Sequence, residues 1–240
     1  MNIGKSFSFP FEDKQWISKL GLGAVITLVP ILNFAWTGYI VQLTRNVMDN
    51  QQEPLPTWDD IGKKLTDGII LALASLVYSL PMLIVICLPL SIMLVPALMS
   101  GNRDMQDISN AIAGVGSALF LCLLCVFVVY TLALSVIYPA ILIVFSREGT
   151  FASCFKFREV FDLIGKNTSA FFTAWIVGIA AGFGVGLVAG FAQLVLGFIL
   201  CIGQIVSIIL ALGVAVYTSV VYTHLFGQFG LIAFGQNQNQ

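Results

Sequence analysis

The sequence predicts an all-α, polytopic integral membrane helical bundle with four to five transmembrane helices plus interfacial amphipathic helices. Three observations carry this. Of the 240 residues, 58% are hydrophobic and only 10% charged, with a mean hydropathy of +0.96, whereas soluble domains carry about 25% charged residues. Apolar stretches recur at residues 20–44, 68–99, 109–145, 170–200 and 204–234, each long enough for the ~20 residues that a ~30 Å hydrocarbon core requires. No Asp, Glu, Lys or Arg follows Lys166, so the last two stretches hold no fixed charge that resists burial in lipid. With so little sequence outside these stretches, residues 1–240 read as a single membrane domain.

Residues 1–19 form an interfacial N-terminal segment. Phe7-Ser8-Phe9-Pro10-Phe11-Glu12-Asp13-Lys14-Gln15-Trp16 mixes aromatic and charged residues as a surface-lying helix does, and lacks the charged start and short apolar core of a cleavable signal. Residues 20–44 are kinked or re-entrant, because Pro30 and Asn33 sit in the middle with about ten apolar residues on either side. Residues 45–67 make a polar loop and an interfacial helix. In it the extended Pro54-Leu55-Pro56 run resists helix. Thr57 is placed to cap a helix begun by Trp58, whose Asp59 and Asp60 suit the positive N-terminal end. Arg45 is placed to pair with Asp59 or Asp60 across the loop, and Trp58 to sit at headgroup depth.

The stretches 68–99 and 109–145 overshoot a perpendicular span, and Pro81, Pro89, Pro96 and Pro139 predict kinks, tilts or surface-lying ends. The five cysteines, Cys87, Cys122, Cys125, Cys154 and Cys201, mostly lie inside apolar runs; Cys122 and Cys125 form a C-x-x-C, but their neighbours are Leu and Val and no second ligand pair or His is near, so the pair reads as small buried membrane residues. Residues 146–169 contain a third amphipathic segment, Phe151 to Lys166. Its Phe161-Asp162-Leu163-Ile164-Gly165-Lys166 echoes Trp58-Asp59-Asp60-Ile61-Gly62-Lys63, a hint of a duplicated unit of interfacial helix and span. In 170–200, Ala170, Ala174, Gly178, Gly182, Gly186 and Gly190 recur at every fourth position. That spacing predicts a small-residue packing face, a glycine zipper.

The Lys and Arg residues choose between topologies. If all five stretches cross, Lys5, Lys14, Lys19 and Arg103 lie on one side and the other seven cations on the opposite one. If 20–44 re-enters, ten lie on one side and Arg103 alone on the other. The second division predicts a bundle with both termini cytoplasmic.

One block carries a resemblance. Gly38-Tyr39, Arg45, Pro54-Leu55-Pro56-Thr57-Trp58-Asp59-Asp60 and Asp67-Gly68, with Phe-Pro-Phe-Glu-Asp-Lys-Gln-Trp upstream and Tyr78-Ser79-Leu80-Pro81 downstream, resemble the prokaryotic membrane family known only as domain of unknown function 4013. Tyr138-Pro139 and Arg147-Glu148-Gly149 are similar to its later pattern. The resemblance implies a bacterial or archaeal multi-pass protein of the cell membrane without an assigned activity, and bears on architecture alone.

The sequence holds no legible phosphate-binding loop, dinucleotide fingerprint, catalytic carboxylate pair or Ser/His/Asp set. The only histidine, His224, lies inside the last apolar stretch. With Gln193 and Gln204 it forms a candidate intramembrane polar site, read either as a neutral imidazole that glues helices or as a proton-sensitive gate. The net charge of −1 gives nucleic acid no basic surface. The expected function is therefore a non-enzymatic scaffold or accessory subunit. It needs no cofactor or metal, and its partners are the lipid bilayer and another membrane subunit or further copies of itself. A homo-oligomeric channel or uncoupled transporter for a small solute or lipid is the alternative.

Overall fold

The chain is seen in a computed structural model that describes residues 1–99, 106–199 and 202–235. Arg103 and Cys201 lie outside the described residues. The elements run α1 (Ile3–Glu12), α2 (Trp16–Thr27), α3 (Asn33–Met48), α4 (Ile61–Met99), α5 (Gln106–Glu148), a short 3-10 turn (Phe151–Phe155), α6 (Phe157–Lys166), α7 (Thr168–Leu196) and α8 (Ile202–Gly235). Every described element is helical, and four helices are long and apolar enough to cross a membrane. The fold is all-α with multi-pass membrane character. The chain separates into two compact units, one holding Met1–Ala72 with Pro139–Gln240 and one holding Leu73–Tyr138.

In the first unit α8 is the post on which the other helices assemble. Its half from Val216 to Ala233 is largely buried, and α1, α2, α3 and α7 all pack against it. The apolar segment at 20–44 is not one continuous helix. It belongs to two helices, α2 and α3, separated by a turn over residues 28–32. Pro30 has no amide to donate there, and Asn33 resumes the helix by donating to the Val29 carbonyl at 2.9 Å. The two helices pack on each other as a hairpin, with Trp36 of α3 closing over Gly23 of α2.

The hairpin is held by glycine. A Cβ on Gly38 would strike the main-chain carbonyl of Lys64, and one on Gly68 would strike the carbonyl of Phe34. Thus α3 and the first turns of α4 cross backbone to backbone, which only glycine at both positions permits. Lys64 is buried at this crossing, 2% exposed.

Several expected boundaries move. The helix expected from Trp58 begins at Ile61 and is not a separate interfacial element, because it runs without a break to Met99. Trp58, Asp59 and Asp60 form a turn, and Lys64 donates its amide to the Asp60 carbonyl as the first helical bond. Thr57 therefore caps nothing. The helices also continue through Pro81, Pro89, Pro96 and Pro139. The echo between Trp58–Lys63 and Phe161–Lys166 does not mark equivalent units. The first copy flows into its span, whereas α6 stops at Asn167 before α7 starts.

In the second unit, the Tyr130 hydroxyl donates to the Tyr78 carbonyl at 2.6 Å and joins its two helices. Cys122 and Cys125 are free thiols exposed on α5 and not buried within the protein; Cys87 is exposed on α4, and Cys154, in the first unit, is buried.

The glycine crossing makes a direct prediction. Gly38→Ala and Gly68→Ala each force two backbones apart and are expected to cost about 1–3 kcal/mol or more, the range for overpacking. Gly62→Ala meets open space and is expected to be neutral or slightly stabilising, since Ala is the better helix former. Thermal unfolding of the three variants in one detergent checks the contrast.

Candidate functional site

The polar side chains of the first unit concentrate at one end, where α3, the loop after it, the start of α4, the end of α5, α1 and the last half of α8 meet. Three clusters build it.

The first fastens the base of the α2–α3 hairpin. Trp36, Tyr39 and Trp58 stack in series, with Tyr39 4.8 Å from the Trp58 ring and 5.0 Å from the Trp36 ring. Tyr39 is fully buried, and its hydroxyl has no hydrogen-bond partner among the described residues. Trp58 donates its indole N–H to the Lys19 carbonyl at 2.8 Å. The Lys19 ammonium donates to Asp13 at 2.6 Å and to the Leu55 carbonyl at 3.1 Å. Burial works to raise the Asp13 carboxyl, but the Lys19 ammonium and the Gln15 amide outweigh it and hold it below its ordinary value. The stabilisation this gives is present above the unfolded carboxyl's pKa and is lost as pH falls through the lowered one. Asn46 donates to the Pro54 carbonyl at 2.8 Å, so the loop is tied to α3 as well. The Pro-Leu-Pro run is thus the strap under which Lys19 and Trp58 are locked, with Leu55 buried.

The second cluster is a clamp on Arg45. Its guanidinium donates from Nη1 to Asp67 at 2.5 Å and from Nε to the Ser146 carbonyl at 2.7 Å, and so links α3, α4 and α5. The expected pairing with Asp59 or Asp60 does not form, because both carboxylates sit on the exposed turn before α4. One turn into that helix, the Gly38–Gly68 crossing brings Asp67 against α3 instead. Arg147, next in the chain, lays its guanidinium over the Phe234 ring at 4.3 Å.

The third cluster surrounds His224, which is 4% exposed. Phe9 of α1 stacks on its ring at 4.0 Å. Ser6 Oγ lies 2.9 Å and Gln228 Nε2 3.1 Å from Nδ1. The Asn2 amide donates to Gln228 Oε1 at 2.6 Å, which orients the Gln228 amide so that its NH₂ faces the imidazole. Nδ1 is then an acceptor, and the ring is neutral with its proton on Nε2. His224 therefore latches α1 to α8. Gln193 and Gln204 do not join it: Gln193 is on α7, and Gln204 is exposed near the opposite end of α8. Ser6, Asn2 and Gln228 carried no signal in the sequence beyond the proximity of Gln228 to His224 by one helical turn.

The small-residue face of α7 is only partly packed. Ala174 and Gly178 are buried, Gly178 beneath the Tyr222 ring of α8, and Gly182 touches Thr218. Gly186 and Gly190 are exposed, and a Cβ on either would meet no other atom of the described residues within 4 Å; Ala170 is half-buried. The six do not share one face. At 3.6 residues per turn each step of four drifts by about 40°, so six positions sweep about 200°. Instead, the buried stripe passes to Ala189.

Cavities flank these clusters. One of about 430 Å³ is lined by Arg45, Asp49, Ser146, Arg147 and Phe234, among others. A second, of about 550 Å³ and apolar, lies between α2 and α8 beside Leu20, Val25, Ile209 and Val216. No group of His, Cys, Asp and Glu among the described residues could hold a metal ion.

A family model described as a protein of unknown function, DUF4013, matches residues 22–194, more than half of the chain. No curated protein and no solved structure matches. The matched segment contains the second half of α2, all of α3, the strap, the glycine crossing and the Arg45 clamp, while Asp13 and Lys19 lie before it.

Arg45→Ala leaves Asp67 and the Ser146 carbonyl without their donor. A loss of about 2 kcal/mol or more is expected, since breaking a largely buried pair strands the remaining charge. Asp59→Ala and Asp60→Ala are expected to stay within about 0.5 kcal/mol of the parent, as exposed substitutions do. Chemical denaturation of the three variants in matched micelles measures this; a loss in Asp59→Ala or Asp60→Ala as large as that in Arg45→Ala would restore the pairing the loop suggests.

Proposed function

The chain belongs to the DUF4013 family, and we propose that within it the chain acts as a non-enzymatic accessory or scaffold subunit of a membrane assembly. The observation that carries this reading is the divided use of the α7 small-residue stripe. Its first half packs inside the chain on α8, while Gly186 and Gly190 stay open between the exposed apolar side chains of Phe183, Leu187 and Phe191. A groove of that kind lets a second helix approach closely in lipid, where close packing rather than hydrophobic burial drives association. Two ion pairs support the reading from the other side. Arg45 with Asp67, and Lys19 with Asp13, are engaged in holding helices together.

The orientation follows from charge. Ten of the eleven Lys and Arg residues belong to the first unit. Since α2 and α3 form a hairpin, Lys5, Lys14 and Lys19 return to the end that carries Arg45. The excess of cations supports a reading in which that end, and with it both termini, faces the cytoplasm of a bacterial or archaeal cell. The hairpin then enters and leaves by the same face, and its turn, exposed over residues 28–34, is left for water or a partner to cover, since lipid cannot hydrogen-bond its backbone.

Native mass spectrometry of the protein extracted gently from its own membranes tests the reading. A different polypeptide in fixed ratio is expected. Several copies of this chain alone would replace the accessory subunit by a homo-oligomer built on the same face, and a bare monomer would overturn both. Gly186→Leu with Gly190→Leu is expected to release the partner while unfolding stays unchanged. Gly178→Leu is expected to destabilise the chain itself by about 1–3 kcal/mol or more through the clash with Tyr222.

A further inference from the structure

We propose that the cavity framed by the ends of α3, α5 and α8 is a headgroup site for an aminophospholipid, with the phosphate on Arg147 and the ammonium on Asp49. The inference stands independently of the accessory-subunit reading. Four features of the cavity converge on it.

The first is charge. Arg45 is neutralised by Asp67, so among the described residues the ionised groups that line the cavity without an ion-pair partner are the Arg147 guanidinium and the Asp49 carboxylate. A cation and an anion side by side match a zwitterion better than a multiply charged anion, whose second charge would meet Asp49. Guanidinium suits phosphate because its planar fork gives two parallel donors, and a carboxylate accepts directly from a primary ammonium.

The second is unused hydrogen-bonding capacity. Ser146 lines the cavity, and its hydroxyl is buried with no partner among the described residues, whereas its carbonyl is taken by Arg45. A buried hydroxyl left unpaired costs free energy that an acceptor oxygen would relieve. Arg45 uses Nε and Nη1, and Nη2 makes no hydrogen bond among the described residues.

The third is depth. The lining comes from the terminal turns of apolar helices: α5 ends at Glu148 and α8 at Gly235. Those turns lie where a bilayer keeps its phosphates, just beyond the hydrocarbon. The Phe234 ring under Arg147 gives the site an apolar wall toward the glycerol and acyl groups.

The fourth is size. The volume of about 430 Å³ falls in the ~300–1,000 Å³ range of small-molecule sites. A neighbouring cavity shares Arg147 and Phe234 and adds Asp162, Lys166, Glu148 and Glu159. The two glutamates are engaged by Lys156.

The test uses the full-length protein, delipidated in detergent and titrated with phosphatidylethanolamine, phosphatidylglycerol or phosphatidylcholine, with lipid occupancy read by native mass spectrometry. Phosphatidylethanolamine is expected to bind most tightly. Arg147→Ala and Asp49→Asn are each expected to weaken it about tenfold or more, Arg147→Lys less, and Lys63→Ala, an exposed cation outside the cavity, not at all. For phosphatidylglycerol, only Arg147→Ala is expected to matter. Unfolding curves like the parent's confirm that the variants are folded. Equal binding of phosphatidylethanolamine and phosphatidylglycerol with no effect of Asp49→Asn would overturn the amine contact. Full binding by Arg147→Ala would overturn the site. Displacement of the lipid by millimolar inorganic phosphate would make the ligand a free phosphate and overturn the lipid assignment.

Discussion

The close approach of α3 to α4 at Gly38 and Gly68 is the constraint on which the polar end depends. Two main chains in contact leave no room for a side chain between them, and that fixes where everything else on α3 points. One residue on, Tyr39 falls into the stack between Trp36 and Trp58. Farther along the helix, Arg45 is carried to Asp67 and to the end of α5. Replace either glycine and the stack, the clamp and the strap lose their common register together. The energy lies mostly in packing: Tyr39, Val41 and Leu43 are fully covered, each contributing on the order of 1.5–3 kcal/mol by burial where the reference is water. The polar bonds add specificity more than net stability, as paired groups withdrawn from water generally do.

The other organising element is α8. Its two halves have different fates. From Val216 onward it is wrapped by α1, α2, α3 and α7, while the residues before that, such as Ile205, Ile208 and Ile209, stand exposed. The α7 stripe follows the same division. Ala174 and Gly178 meet the wrapped half, and the drift of a four-residue spacing around a 3.6-residue helix carries Gly186 and Gly190 away from it. A single periodic motif thus supplies an internal contact at one end and an open groove at the other.

Fold class was legible because bilayer residence constrains composition so strongly; hydropathy alone separates the four long helices. The hairpin was half legible. Pro30 and Asn33 marked the break, and the Lys and Arg distribution favoured a return, but only the Lys19–Leu55 and Trp58–Lys19 bonds show how the base closes. Within the candidate site, Gly38, Tyr39, Arg45, Leu55, Trp58 and Gly68 were all visible as a block, yet the partner of Arg45 was misassigned. Sequence proximity favours Asp59 and Asp60, whereas the glycine crossing, a tertiary fact, presents Asp67. Ser6 and Asn2 were invisible because a bond from α1 to α8 spans more than two hundred residues. No local pattern records it.

The central claim is that residues 20–44 leave and return by the same face, fastened at their base. Single cysteines at Asn2 and at Gln51, in a cysteine-free background, would be labelled with an impermeant thiol reagent added to either side of sealed vesicles. The account predicts that both positions react from the same side. Reaction of the two from opposite sides would mean that the segment crosses the membrane, and would contradict it.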